Sequence, residues 1–269
     1  MSKKPVVALV LSGGSALGFA HVGVIEELLK NNIKIDLVVG TSMGAVVGAG
    51  FASGLTIDDL KQSSQKMNLS KFIDLNFKRG GIFSGKRISK LLANIYKVKN
   101  IEDCKIRFAC VSTDIKTTKQ YIAQKGDIVS AVRASMNIPG VFVPIELGDK
   151  LLIDGGILNN YPDDVAKDLG ADIVIGVDVL KNYKYCHTHA KSSIDAIMNA
   201  FCLCNKRVQE LKPNFTDVII EPKQYDVFQM SFKKKLILKS IASGRIATKQ
   251  KMGEIKKVID NWMPDNKKN

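Results

Sequence analysis

Three long apolar runs constrain this chain more than anything else in it. Val6 to Leu11 in PVVALVLS, Leu37 to Val39 in IDLVVG and Ile173 to Val177 in ADIVIGVDVL stay apolar (or glycine) at consecutive positions instead of alternating with polar residues. A strand that is apolar on both faces must be covered on both faces, the condition met by a parallel sheet between two layers of helices. The segments after the first two runs agree. AHVGVIEELLKNN sets Val22, Ile25, Leu28 and Leu29 at helical spacing, and MGAVVGAGFASG reads as a helix of small residues. This is a βαβ unit with a further helix behind it.

The alternation continues. Helices are expected over IDDLKQSSQKM, SGKRISKLLANIYK, DIVSAVRASMNIPG (stopped by Pro139), DDVAKDLGA and roughly Ser192 to Leu211. Strands are expected over RFACVSTD, KQYIA, KLLIDGGIL and TDVIIEP. NLSKFIDLNFKRGGIFSG reads as a flap or loop. Ser231 to Trp262 reads as a Lys-rich helix whose stripe of Leu236, Ile237, Ile241, Ile255, Ile259 and Trp262 suits packing on the body more than insertion in a membrane. With no internal repeat and no linker, the expectation is an α/β fold in one domain over residues 1–269, with a mostly parallel central sheet flanked by helices.

Composition narrows the partners. The 40 basic against 26 acidic side chains give a net charge of +14, which favours anionic surfaces or serves as a solvated Lys-rich exterior. No groove-reading motif or aromatic-basic platform accompanies the charge, so nucleic acid is not an expected partner. The five cysteines show no framework spacing, and Cys202-Leu-Cys204 with His187 and His189 matches no usual zinc pattern, so neither a metal nor a cofactor is expected. The N-terminus lacks the long apolar region of a secretory signal and no stretch is long enough to span a bilayer. The expectation is a cytoplasmic protein able to sit on a membrane surface.

The chemistry gathers at glycines. Gly40-Thr41-Ser42-Met43-Gly44 fits G-x-S-x-G between a strand and a helix, where the pattern marks a nucleophile elbow. The sharp turn exposes the serine Oγ, and glycines on either side let the turn close. The competing reading is a small-residue helix start packed tightly on the sheet. Gly13-Gly14-Ser15-Ala16-Leu17-Gly18 ends the first strand. Its spacing fits neither a dinucleotide fold nor a P-loop, but loops after adjacent parallel strands open at the same edge, so its amides can face Ser42 as an oxyanion hole. Asp154 ends the strand KLLIDGGIL before Gly155 and Gly156, as a general base for Ser42 or as an ordinary Asx-type turn. Among histidines, His21 suits capping or packing on the first helix. His187 and His189 lie in a late polar loop and stay open as alternative bases.

Taken in order, LSGGSALGFAHVGVIEEL, DLVVGTSMGAVVGA, RASMNIPGVFVPI and LLIDGGILNNYPDDVAKDLGAD resemble the patatin-like phospholipases, a family of acyl hydrolases that use a Ser-Asp dyad. The resemblance covers roughly residues 6–180 and leaves 181–269 without support. It implies the three-layer patatin fold, Ser42 as nucleophile, Asp154 as its partner, and Gly13, Gly14 and Ser15 with Gly18 as the oxyanion loop. It further implies lipid or phospholipid ester substrates met at an interface, an acyl-enzyme intermediate and no metal. Two departures stand out. The family often has a third glycine at Ser15 and a basic residue at Leu17; Ser15 keeps its N–H, while Leu17 removes any direct help from charge. Pro139, Phe142 and Pro144 would shape an acyl groove, or only close a helix and start a strand. Two functions remain: a lipid esterase, or a membrane-associated regulatory protein whose dyad has little activity.

Overall fold

The computed structural model describes residues 4–67, 74, 81–181, 183, 193–224 and 231–264. Strands β1 (Val7–Leu11) and β2 (Leu37–Thr41) pair in parallel, and every residue in both is buried. Helix α1 (Ala20–Lys30) crosses between them and α2 (Met43–Ala52) leaves the end of β2. Helix α3 (Ile57–Lys66) opens on a reciprocal capping box between Thr56 and Asp59. Then come β3 (Gly81–Phe83), α4 (Lys86–Ile95), β4 (Arg107–Asp114), β5 (Lys119–Ala123) and α5 (Ile128–Ser135). They are followed by β6 (Gly140–Phe142), β7 (Ile145–Leu147), β8 (Lys150–Asp154), α6 (Gly156–Asn159) and α7 (Asp163–Asp168). The chain closes with β9 (Ile173–Val177), α8 (Ser193–Leu211), β10 (Val218–Ile220) and α9 (Lys234–Asp260).

The central sheet runs in the order β10-β9-β1-β2-β4-β8-β7, with β5 paired to β4 off that path. Its β10, β9, β1, β2 and β4 strands are mutually parallel, and β5, β7 and β8 join antiparallel. Side chains leave it on both faces into separate cores. Leu9, Leu11, Val38, Phe108 and Ile175 meet the layer that contains α1, α2 and α9. Ala8, Val10, Val39, Val111 and Val174 meet Tyr161 and α7. This is the double coverage that unalternated apolar strands require.

One detail of register positions the site. β2 pairs with β4 up to Thr41 opposite Val111, and β8 pairs with it from Leu152 opposite Asp114 to Asp154 opposite Ser112. β5 occupies β4 from Cys110 to Asp114, so β2 and β8 share the other edge. They run towards each other along it, and their C-terminal ends meet.

The C-terminal helix belongs to the body. A Cβ on Gly23 of α1 would lie 1.9 Å from the Ile241 carbonyl oxygen, and one on Gly244 would lie 1.9 Å from that of Ala20. The two backbones touch, as small residues permit, and Ile237, Ile241 and Ile255 are buried beneath α9. Among the described residues no helix is long and apolar enough to cross a membrane.

The structure differs from the sequence expectations in three places. α5 ends at Ser135, well before Pro139, because the next peptide groups are turned towards β8: Ser135 O accepts from Gly155 N and Asn137 O from Asp154 N. The strand in KLLIDGGIL stops at Asp154, the turn after it is short, and Gly156–Asn159 is already the helix α6. Within the stretch read as a flap, β3 pairs in parallel with β6, and residues 68–73 and 75–80 lie outside the described residues. Phe142, read either as shaping an acyl groove or as starting a strand, takes the second place: it is buried in that small sheet, 6.1 Å from the Phe83 ring and 5.0 Å below the Arg133 guanidinium carbon.

Candidate active site

Ser42 stands where β2 turns into α2, with φ 53° and ψ −120°. That left-handed backbone is costly for a residue with a side chain and is held by its surroundings. A Cβ on Gly40 would fall 2.6 Å from Gly44 O, and one on Gly44 would come 2.1 Å from Leu11 O. Only glycine lets the turn close and α2 abut β1. Ser42 N donates to Ser135 Oγ at 2.9 Å, and that hydroxyl donates to Val111 O at 2.6 Å. Ser135 thus locks the elbow to the end of β4, satisfying two buried backbone groups through one side chain.

Asp154 arrives from the opposite direction on β8 and is fully buried. Its Oδ1 accepts from Gly156 N at 2.8 Å. Burial pushes the carboxyl up to about 7, against the smaller opposing pull of Gly156 N–H and the Ser42 hydroxyl. The hydroxyl is thus close enough to favour the charged carboxylate, yet Oδ2 has no partner of regular hydrogen-bond geometry. An unfilled acceptor facing an alcohol is the arrangement a base needs, since such contacts tighten once substrate is bound. A Cβ on Gly155 would lie 2.1 Å from Val111 O, and one on Gly156 would lie 2.7 Å from the Phe201 ring. The first glycine lets β8 reach the elbow and the second lets α8 close over α6.

The glycine loop faces the serine: a Cβ on Gly13 would be 3.2 Å from Ser42 Cβ and 2.4 Å from Asn160 Oδ1. The amides divide differently from expectation. Gly13 N donates to Asn160 O at 3.0 Å and so is already used. Gly14 N has no partner among the described residues. Ser15 has φ 50°, a conformation glycine adopts freely. Gly18 lies a turn further on, in the 3₁₀ turn Ser15–Phe19, where a Cβ would meet Met43 Cγ at 2.5 Å; it serves packing against α2. Leu17 is buried in the core and brings no charge to the site. A second amide comes from Met43, which as first residue of α2 has no intrahelical acceptor.

His21 is fully buried, its Nε2 donating to Ser12 O at 2.8 Å, and burial pushes it down to about 4. It is a neutral pin for the strand leading into the loop. His187 and His189 lie outside the described residues. Of the two neighbouring thiols, Cys202 is buried and Cys204 exposed, so they do not face a common point. Among the described residues no three His, Cys, Asp or Glu side chains converge on a common point.

Ser135, Asn137 and Asn160 carry parts of this architecture that the sequence did not single out. Their partners lie up to 147 positions away, and only the RASMNIPG and DGGILNN segments hinted at them.

Comparison with known proteins agrees with the geometry. The family model described as patatin-like phospholipase matches residues 9–167. Patatin-like phospholipase domain-containing protein 7 of Rattus norvegicus is 36% identical over 181 residues, covering 64% of this chain and 13% of that protein. An uncharacterized NTE family protein of Mycobacterium bovis is 35% identical over 181 residues, covering 66% of this chain and 50% of that protein. The chain therefore spans only part of the length of these relatives. Among solved structures, VipD from Legionella pneumophila superposes with a TM-score of 0.54 at 15% identity, covering 94% of this chain and 67% of that one. The type III effector ExoU gives 0.52 at 13% identity, covering 94% and 54%. A glycine loop, a serine elbow and an aspartate meeting at one edge of the sheet, inside a segment matched over more than half its length, place this chain in the patatin-like phospholipase family.

Proposed function

We propose that this chain is a serine hydrolase of lipid esters working through a Ser42–Asp154 dyad. The observation that carries the reading is the meeting of β2 and β8 end to end along β4, which sets a buried carboxyl with an open Oδ2 beside a serine held at φ 53°. The ionised Asp154 takes the proton of Ser42 as Oγ attacks the ester carbonyl. The oxyanion is received by the amides of Gly14 and Met43, at the N-terminus of α2, where the helix dipole adds to the attraction. Collapse of the tetrahedral intermediate releases the alcohol, which takes the proton back from Asp154 and leaves an acyl-serine. Water, deprotonated by the same carboxylate, then attacks the acyl carbonyl; the Ser42 Oγ–acyl bond breaks, Oγ takes the proton back from Asp154, and the fatty acid is freed. Ser135, Gly13, Gly40, Gly44, Gly155 and Gly156 hold the geometry without touching the reacting atoms. Family membership supports lipids as the substrate class, and the charge of +14 supports docking on anionic bilayers.

A fluorophosphonate probe tests the nucleophile. It labels Ser42 in the native protein and not in Ser42→Ala, and ester turnover falls about four orders of magnitude or more in that variant. A folded protein that takes no label favours instead a membrane-associated regulator with an idle dyad.

A further inference from the structure

The inner face of α9 packs on the body, but its outer face is neither inert nor evenly polar. Ile237, Ile241, Gly244, Thr248 and Met252 recur at helical spacing and are buried. The opposite side is basic. From Lys233 to Lys251 the chain holds seven basic residues and no acidic one, which is +7 of the whole charge of +14. Arg245 reaches Glu26 at 3.6 Å and Lys251 reaches Glu254 at 2.7 Å, but among the described residues Lys233, Lys234, Lys235 and Lys249 form no ion pair. Between these cations runs an apolar ridge. Leu238, Ala242 and Ile246 recur every four positions, and Leu238 is 45% exposed and Ile246 59%. Lys234, Lys235, Leu238 and Ala242 line one shallow surface hollow. Like charges along one helix repel, and large apolar side chains left in water forgo their burial.

That combination selects the partner. A bilayer with anionic headgroups receives the ammonium groups at the level of its phosphates and the apolar side chains just beneath them, so it relieves both costs at once. A nucleic acid would match the lysines alone. Its backbone offers nothing to Leu238 and Ile246, and no aromatic residue occurs between Lys233 and Lys251 for a base to stack on. A second copy of this chain, paired through the same face, would set one basic surface against another. The face also begins beside the reaction centre. Phe232, just before α9, meets the Phe19 ring edge-on at 6.1 Å, and Phe19 ends the 3₁₀ turn that starts at Ser15 in the glycine loop. The lysine-rich end of α9 therefore stands on the turn by which the chain leaves that loop.

We propose that the outer face of α9, built on Lys234, Lys235, Leu238, Ile246 and Lys249, is the surface by which this chain docks on anionic bilayers. The assignment rests on the Ser42 hydrolase reading for its role in turnover, but docking is tested apart from it, on Ser42→Ala protein. Binding is measured by co-sedimentation with vesicles of equal parts phosphatidylglycerol and phosphatidylcholine. Lys234→Gln, Lys235→Gln and Lys249→Gln together weaken it about a hundredfold, at about fivefold for each lysine. Lys90→Gln, Lys119→Gln and Lys125→Gln remove the same charge from other exposed positions and weaken it by no more than about threefold, because charges away from the contact are screened. An equal loss in the two triple variants makes total charge responsible and overturns the proposal. Leu238→Gln with Ile246→Gln weakens vesicle binding about tenfold and leaves binding to a single-stranded RNA oligomer unchanged. Undiminished vesicle binding in that variant, or RNA held more tightly than vesicles through the same lysines, overturns it too. In the active protein the α9 lysine variant loses hydrolysis of vesicle lipid in step with binding and keeps its rate on the water-soluble ester p-nitrophenyl butyrate. An equal loss on both substrates marks a damaged site instead of lost docking and counts against the proposal. A protein that docks through this face yet cleaves neither substrate refutes the hydrolase reading and leaves the docking face standing.

Discussion

Ser42 and Asp154 are both held in states that the unfolded chain avoids. Ser42 sits at φ 53°, a conformation that costs about 1–3 kcal/mol for a residue with a Cβ. Ser135 offsets part of that cost by receiving its N–H at 2.9 Å. Asp154 is buried with a single backbone donor on Oδ1, and its pKa rises from 3.8 to about 7. A base must be ionised to act, so kcat/KM is expected to rise with pH through a midpoint near 7, as Asp154 loses its proton in the free enzyme. A pH–rate profile that is flat across neutrality would rule out this assignment. The sign for stability is the opposite. Between about 3.8 and 7 the folded state keeps a proton that the unfolded chain has released, so stability falls as pH rises through that window. Asp154→Asn removes the penalty, and chemical denaturation at pH values above that window should find it more stable than the native protein by up to ~4 kcal/mol, while it turns over no ester. At this scale the sequence offered the serine as a candidate through its flanking glycines and the aspartate through its strand end. Ser135 stayed hidden because its two partners are 93 and 24 positions away.

Among the elements, α9 and α5 show how secondary structure yields to neighbours. The helical span of α9 was legible from its apolar stripe, but its contact with α1 depends on Gly23 and Gly244, which no periodicity marks. A methyl group at Gly244 would lie 1.9 Å from Ala20 O and force two backbones apart, whereas Gly253 of the same helix has nothing within 4 Å. Gly244→Ala should therefore destabilise by ~2 kcal/mol or more. Gly253→Ala should stabilise by ~0.5–1 kcal/mol, because only backbone freedom is lost there. Thermal unfolding of the pair checks this, and equal shifts would disprove the helix contact. α5 ended early for a related reason: the carbonyls of Ser135 and Asn137 serve β8 and Gly155 instead of another helical turn. A proline four positions downstream marks the latest place a helix can stop, not the place where tertiary partners stop it.

At the scale of the whole molecule, a charge of +14 on 269 residues would make the proposed docking on lipid surfaces depend on their charge. Co-sedimentation should find the protein on vesicles rich in anionic lipid, much less on phosphatidylcholine alone, with binding that weakens steeply as salt is raised. Equal binding to both vesicles at low salt would remove electrostatics from the account. The sheet itself was legible at this scale, because unbroken apolar strands separated by amphipathic helices leave few arrangements other than a parallel sheet covered on both sides. Local order determined the elements, the glycine turns and the two candidate reactive residues, since turn sterics and burial act over a few neighbouring positions. Which ends meet was decided only by the fold. β8 runs antiparallel along β4 and stops opposite Ser112, one position from where β2 stops opposite Val111. That register depends on pairing between strands far apart in the chain, and it brings Asp154 to Ser42.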